Sequence, residues 1–177
     1  MRAAAGNRRM WHGGRLVLLL LLLFSVVATA NAEQSDWMAD KVLVLKAQRK
    51  LFLIKDDRIL KAIDIRLGLI PEGEKLSEGD FRTPEGSYLL DRRNLDSDYF
   101  LSIHISYPNP LDLSAARGSG LSPGGNIMIH GRPNAMQHER EYYAAWDWTD
   151  GCISVANTDM VDIWMMTGVD TPIEILP

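Results

Sequence analysis

The stretch from Lys41 to Leu67 does most to limit the fold. "KVLVLKA", "KLFLIK" and "ILKAIDIRL" are short, rich in Val, Ile and Leu, and separated only by "QR" and "DDR". That is the pattern of strands joined by tight turns. Apolar residues fall on both alternating faces, so these strands are expected to be covered on both sides, as in a sandwich or closed barrel.

The rest of the chain extends the same reading. Residues 68–85 form a polar connection punctuated by Gly and Pro, and "SYLLD" and "YFLSIHIS" are two further strands. In the second, Leu101, Ile103 and Ile105 share one face, while Ser102, His104 and Ser106 share the other. Residues 111–117 suit a short helix, and "GSGLSPGGN" suits a loop. "NIMIH", residues 126–130, is a brief strand, and residues 132–148 are expected to form a helical excursion. "NTDMVDIWMMTG" is a helix capped by Asn157 or Thr158 and stopped by Gly168, and "TPIEIL" closes the chain as a strand. The expectation is one mainly β domain, sandwich or barrel-like, with one or two short helices.

The first residues carry a different signal. Arg2, Arg8, Arg9 and Arg15 open the chain with no acid among them; an apolar run from Leu16 to Val27 and a small-x-small Ala30-Asn31-Ala32 follow. This is the three-part layout of a secretory signal peptide, expected over residues 1–32, with a short linker at 33–40 and the domain at 41–177. The apolar run is shorter than the roughly 18–20 residues that span a bilayer, so no stable membrane anchor is expected after cleavage. The expected location is outside the inner membrane, in the periplasm or cell envelope. Cleavage would remove four basic residues and no acid, taking the formal net charge from −4 to −8. A surface that acidic does not suit nucleic acid, because nothing offsets phosphate repulsion.

Export makes the single cysteine informative. Exported proteins usually carry paired cysteines or none, yet Cys152 stands alone in "WTDGCISV". Such a thiol is either inert and buried or reactive. A cysteine nucleophile needs a base, and His104, His130 and His138 all precede it. That order argues against papain-like peptidases, in which the histidine follows. Sortases share the order but need a later arginine, and residues 153–177 contain neither Arg nor Lys. His130, ending an apolar strand before Gly131, is the leading base; His104 would line the same cleft; His138 reads as a solvated helix residue. One cysteine and the three scattered histidines that follow the expected signal segment make no metal-ligand cluster, and no cofactor is implied.

Three stretches resemble the L,D-transpeptidase catalytic domain of bacterial cell-wall enzymes. They are "TPEGSY" (83–88), "IMIHG" (127–131) and "DGCISV" (150–155), and the closing "GVDTPIEI" is similar to the final strand of that family. The resemblance covers the chain from about Lys41 onward. It implies a cysteine transpeptidase acting on peptidoglycan stem peptides. Cys152 would attack the carbonyl at the L-centre of diaminopimelate, and His130 would take the proton. The Gly131 carbonyl would orient the imidazole, and the Gly151 and Cys152 N–H groups would hold the oxyanion. An amine, on a second stem or on a protein, would resolve the thioester. The alternative is a hydrolase that cuts the same bond or frees an attached protein. A third reading is an inactive wall-binding protein.

The chain departs from that family at two positions. Asp150 stands where a histidine is usual, and Ser154 where an arginine is usual. Arg132 is the candidate replacement for carboxylate recognition, with His104, Thr149, Asp150 and Ser154 as further candidate substrate contacts. Six acids lie between Asp147 and Glu174 with no base among them. Any of them near the sulfur disfavours a thiolate, which implies a neutral thiol deprotonated during attack. Tyr142, Tyr143, Trp146 and Trp148 would either wall the donor groove or form a small satellite core.

Overall fold

The structure, a computed structural model, describes residues 36–177. The expected signal segment lies outside them. Eleven elements follow in order. They are β1 (Lys41–Leu45), β2 (Lys50–Lys55), β3 (Arg58–Asp64), β4 (Gly86–Ser97), β5 (Phe100–Ile105), α1 (Pro110–Ser119), β6 (Met128–His130), α2 (Arg140–Ala145), β7 (Ile153–Ser154), α3 (Asn157–Met166) and β8 (Thr171–Leu176).

All eight strands join one sheet in the order β3-β2-β1-β8-β4-β5-β6-β7. Its two ends meet. Just past β3, Arg66 bridges to Ser154 of β7 and Gly68 to Thr149, with reciprocal Arg66–Ser154 backbone hydrogen bonds of 2.8 Å. A sheet that curls until its edges bond leaves little open edge and encloses its inner face. Mainly β, barrel-like architecture with short helices is therefore what the chain adopts.

The expectation of strands covered on both faces is corrected. Val42 and Val44 of β1 are fully buried while Lys41, Leu43 and Leu45 are only half-buried, and β8 alternates in the same way. A curled sheet has one enclosed face, so period-two burial results even where both faces carry apolar residues. Ile63, Ile65, Ile103, Ile129, Ile153 and Ile173 fill the interior, and Met160 and Ile163 of α3 complete it. Among the described residues no helix is long and apolar enough to cross a membrane.

Several boundaries differ from the sequence reading. The Asn109 side chain accepts the Leu111 and Asp112 N–H groups, and Asp112 answers to the Asn109 N–H, so α1 runs over Pro110–Ser119. Asn126 has φ of +55°, outside strand geometry, which shortens β6 to Met128–His130. Only Arg140–Ala145 of the 132–148 excursion is helical. Neither Asn157 nor Thr158 caps α3: its cap residue is Ala156, because Asn157 Oδ1 accepts the Arg132 N–H at 2.8 Å instead. Thr167, not Gly168, ends that helix, with its N–H on Ile163 O.

The "TPEGSY" stretch has a structural role. Lys46, at the end of β1, is 2% exposed. Its ammonium donates to Gly73 O, Thr83 O and Glu85 Oε1 at 2.7–2.9 Å. Three acceptors satisfy a charge that could not otherwise be buried. They draw the 68–86 loop across the end of the sheet, against the turn that carries Cys152.

Candidate active site

Residues 149–152 lead into β7 through a turn that only glycine suits. Gly151 has φ of +129°, and a Cβ there would stand 2.6 Å from Arg82 O of the overlying loop. Thr149, 4% exposed, ties the turn from below. Its hydroxyl donates to Cys152 O at 2.7 Å and accepts the Gly151 N–H at 3.1 Å. Two expectations change here. The Gly151 N–H is already engaged, so it does not serve an oxyanion, and the Thr149 hydroxyl holds the turn rather than a substrate.

His130 ends β6, opposite Ser102 of β5 on one side and Ser154 of β7 on the other. Its Nδ1 lies 2.7 Å from Gly131 O. Gly131 also has no room for a side chain: a Cβ would meet Asn157 Oδ1 at 2.7 Å. Desolvation holds the His130 pKa down at about 4, against a smaller upward pull from the Gly131 carbonyl. The imidazole is therefore neutral at pH 7.

Cys152 and His130 line one cavity of about 350 Å³, together with Thr149 and Asp150. Its other walls are Tyr99, Ser102, Asn126, Met128 and Trp148; of these only Trp148 was offered by the sequence reading, as one alternative for the aromatics. The half-buried thiol faces Asn126 O at 3.6 Å. Burial pushes its pKa up and Asp150 adds to that, opposed by a Met128 backbone hydrogen bond and by the Lys75 charge. The cavity thus holds a neutral thiol and a neutral imidazole.

Of the six acids from Asp147 to Glu174, Asp150 alone is in this cavity. Asp147 pairs with Arg49 at 2.9 Å and accepts the Leu67 N–H. Asp159 and Asp162 both pair with Lys61, and Glu174 faces Lys41. The aromatics divide. Trp148 packs with Tyr99 and His130 at the cavity wall, and Tyr143 is buried beneath it. Trp146, 64% exposed, belongs to neither arrangement.

Three candidate contacts lie elsewhere. His104 shares the sheet face of Ser102, but its Nδ1 is 2.6 Å from Asp91 Oδ1 and it is not among the cavity walls. Arg132 and Ser154 line a neighbouring groove of about 220 Å³ with Arg66 and Asp64. Asn157 holds the Arg132 N–H, so the chain turns toward α3 directly after His130 and Gly131. His138 stacks on Tyr142 at 4.2 Å.

Comparison with known proteins gives a consistent picture. The sequence family YkuD, described as the L,D-transpeptidase catalytic domain, matches residues 39–175. YafK of Escherichia coli, whose name assigns it provisionally to the L,D-transpeptidases, is 43% identical over 61 residues, which is 33% of this chain and 23% of that protein. The structure resembles Pgp2, a helical cell shape determining protein from Campylobacter jejuni, with a TM-score of 0.56 at 27% identity; the match covers 76% of this chain and 46% of that one. It also resembles Bd1075 of Bdellovibrio bacteriovorus, with a TM-score of 0.55 at 25% identity, over 78% of this chain and 48% of that one. The chain thus matches less than half the length of each of these proteins.

Proposed function

Because the chain belongs to the L,D-transpeptidase catalytic domain family, we propose that it is an exported cysteine transpeptidase acting on peptidoglycan stem peptides. The observation that carries the reading is the shared cavity of Cys152 and His130, with the imidazole held by Gly131 O. A carbonyl only accepts, so Nδ1 bears the hydrogen and Nε2 keeps its lone pair as the base. Cys152 Sγ attacks the carbonyl at the L-centre of diaminopimelate while its proton passes to His130 Nε2. The C–N bond to D-alanine then breaks, and the departing amine takes that proton. An amine acceptor next attacks the thioester, gives its proton to His130, and returns the thiol.

A neutral pair at rest suits this sequence, since the proton moves only as the bond forms. With the Gly151 N–H held by Thr149, the Cys152 N–H is the oxyanion donor in this scheme, a contribution worth about 3 kcal/mol. Asp150, at the cavity wall, would attract a cationic amine acceptor.

The test is mass spectrometry of diaminopimelate-containing tetrapeptide muropeptides incubated with the protein and with Cys152→Ala. Cross-linked dimers or exchanged terminal residues, absent with the variant, are the expected result. Tripeptides without dimers would replace transfer by hydrolysis. A cell-wall phenotype unchanged by Cys152→Ala would mean a wall-binding role without catalysis.

A further inference from the structure

Four buried side-chain polar atoms lack a hydrogen-bond partner among the described residues: Arg66 Nε, Arg93 Nε, Ser102 Oγ and Trp148 Nε1. Two of the four, Ser102 Oγ and Trp148 Nε1, belong to walls of the Cys152 cavity. Ser102 is only 2% exposed and stands directly across from His130 in the β5–β6 ladder. Trp148 lies edge-on to the His130 ring, with centroids 5.6 Å apart. Leaving a buried polar group unpaired is unfavourable, so a fold that keeps two beside one nucleophile gives up stability there.

We infer that Ser102 and Trp148 are substrate-binding residues that donate hydrogen bonds to amide carbonyl oxygens of the acyl-donor peptide. The class of ligand follows from the atoms. An indole N–H can only donate, and a serine hydroxyl can donate, so the shared complement is an acceptor. The cavity lining holds no Lys or Arg and one carboxylate, Asp150, which does not suit a second carboxylate but does suit a neutral amide oxygen. Neither atom is open to solvent in the free protein. The peptide meets them as it enters, by a χ1 rotation of Ser102 and a shift of the Trp148 ring along Tyr99. Donor binding then relieves the two unpaired groups, and the free protein loses no hydrogen bond when they are removed.

The inference deepens the proposed function and rests on its donor class, so its test separates binding from turnover. The full chain carrying Cys152→Ala would be titrated calorimetrically with diaminopimelate-containing tetrapeptide muropeptide, alone and with Ser102→Ala or Trp148→Phe added. Trp148→Phe keeps a ring against Tyr99 and His130 but loses the N–H. The expected result is a Kd raised about tenfold by each substitution, near the upper end of what one hydrogen bond contributes. A melting point at or above that of the Cys152→Ala parent is expected for Ser102→Ala; Trp148→Phe also gives up ring packing against Tyr143 and is judged by Kd alone. An unchanged Kd in either variant, or a lowered melting point in Ser102→Ala that shows its hydroxyl serves the fold, would overturn the inference and leave the transpeptidase reading standing. No binding by the parent would overturn both. Binding with the expected losses, but without turnover by the Cys152 protein, would overturn the reaction and leave these contacts in place.

Discussion

The Nδ1 atom of His130 stands 2.7 Å from the carbonyl oxygen of Gly131, its immediate neighbour in the chain. A residue so close in sequence can orient the ring only because Gly131 is pressed between Asn157 and Phe100, with no space for a Cβ. The tautomer follows from that contact, and it leaves Nε2 with the lone pair that the proposed mechanism uses.

Burial of His130 makes stability depend on pH. The folded imidazole stays neutral down to about 4, whereas its ordinary value is 6.5. Between those values the unfolded chain binds the extra proton, so stability rises with pH there. The contribution is full above about pH 6.5 and is lost as pH falls toward 4, on the order of 3 kcal/mol in all. Urea unfolding at several pH values should show this loss in the native protein and a flatter profile in His130→Gln. Parallel profiles would mean that other groups govern acid unfolding.

Thr149 supplies a sharper test of the nucleophile turn. Its hydroxyl serves both Gly151 N–H and Cys152 O inside a buried setting. Thr149→Val orphans a donor and an acceptor at once, a loss of about 2 kcal/mol. Muropeptide turnover should fall at least tenfold, while Thr149→Ser keeps both bonds and most of the rate. Chemical denaturation and turnover measured on both variants decide it; an active valine variant would show that the turn holds without the hydroxyl.

Much of this was legible from residue order. Val/Ile/Leu alternation marks β1, β2, β5 and β8, and the histidine-then-cysteine order with a flanking glycine singles out the two residues that share the cavity. The closure of the sheet was not, because the Arg66–Ser154 and Gly68–Thr149 bridges join segments more than eighty residues apart that carry no complementary local signal. Nor does "TDGC" say which N–H the threonine takes; that depends on the left-handed turn at Gly151 and the loop above it. Ser102 was within reach, since alternation set it on the polar face of its strand, but only pairing with β6 brings it opposite His130. Arg132 misled for a related reason. Nearness in sequence placed it with His130, whereas the Asn157 bond to its N–H carries the chain away.

His104 illustrates the same point as a prediction. It shares a sheet face with Ser102, yet Asp91 holds its ring at 2.6 Å. His104→Gln should leave muropeptide turnover within about twofold of the native rate, since the His104 side chain does not line the cavity and only its backbone pairs with Met128, which does. Steady-state kinetics at pH 7 provide the check. A tenfold fall in a variant that melts normally would put His104 back among the substrate contacts.

Asp150 replaces the residue usual in this family, and its charge tests whether the resting thiol is neutral. It is exposed at the cavity wall and works with burial to push the Cys152 thiol up. Alkylation proceeds through the thiolate, so iodoacetamide should react slowly with the native protein at pH 7.5 and about tenfold faster for each pH unit above it. Asp150→Asn removes one of the two causes. Its alkylation at pH 7.5 should be faster than that of the native protein, because losing the carboxylate lowers the thiol pKa and raises the thiolate fraction. Because the carboxylate is open to solvent, that advantage should shrink in about 0.5 M salt, where the screening length falls to a few ångströms. Equal rates for the two proteins in low salt would leave burial alone in control of the thiol. A native rate already at its plateau by pH 7.5 would mean that Cys152 is stored as a thiolate and that the proton leaves before attack begins.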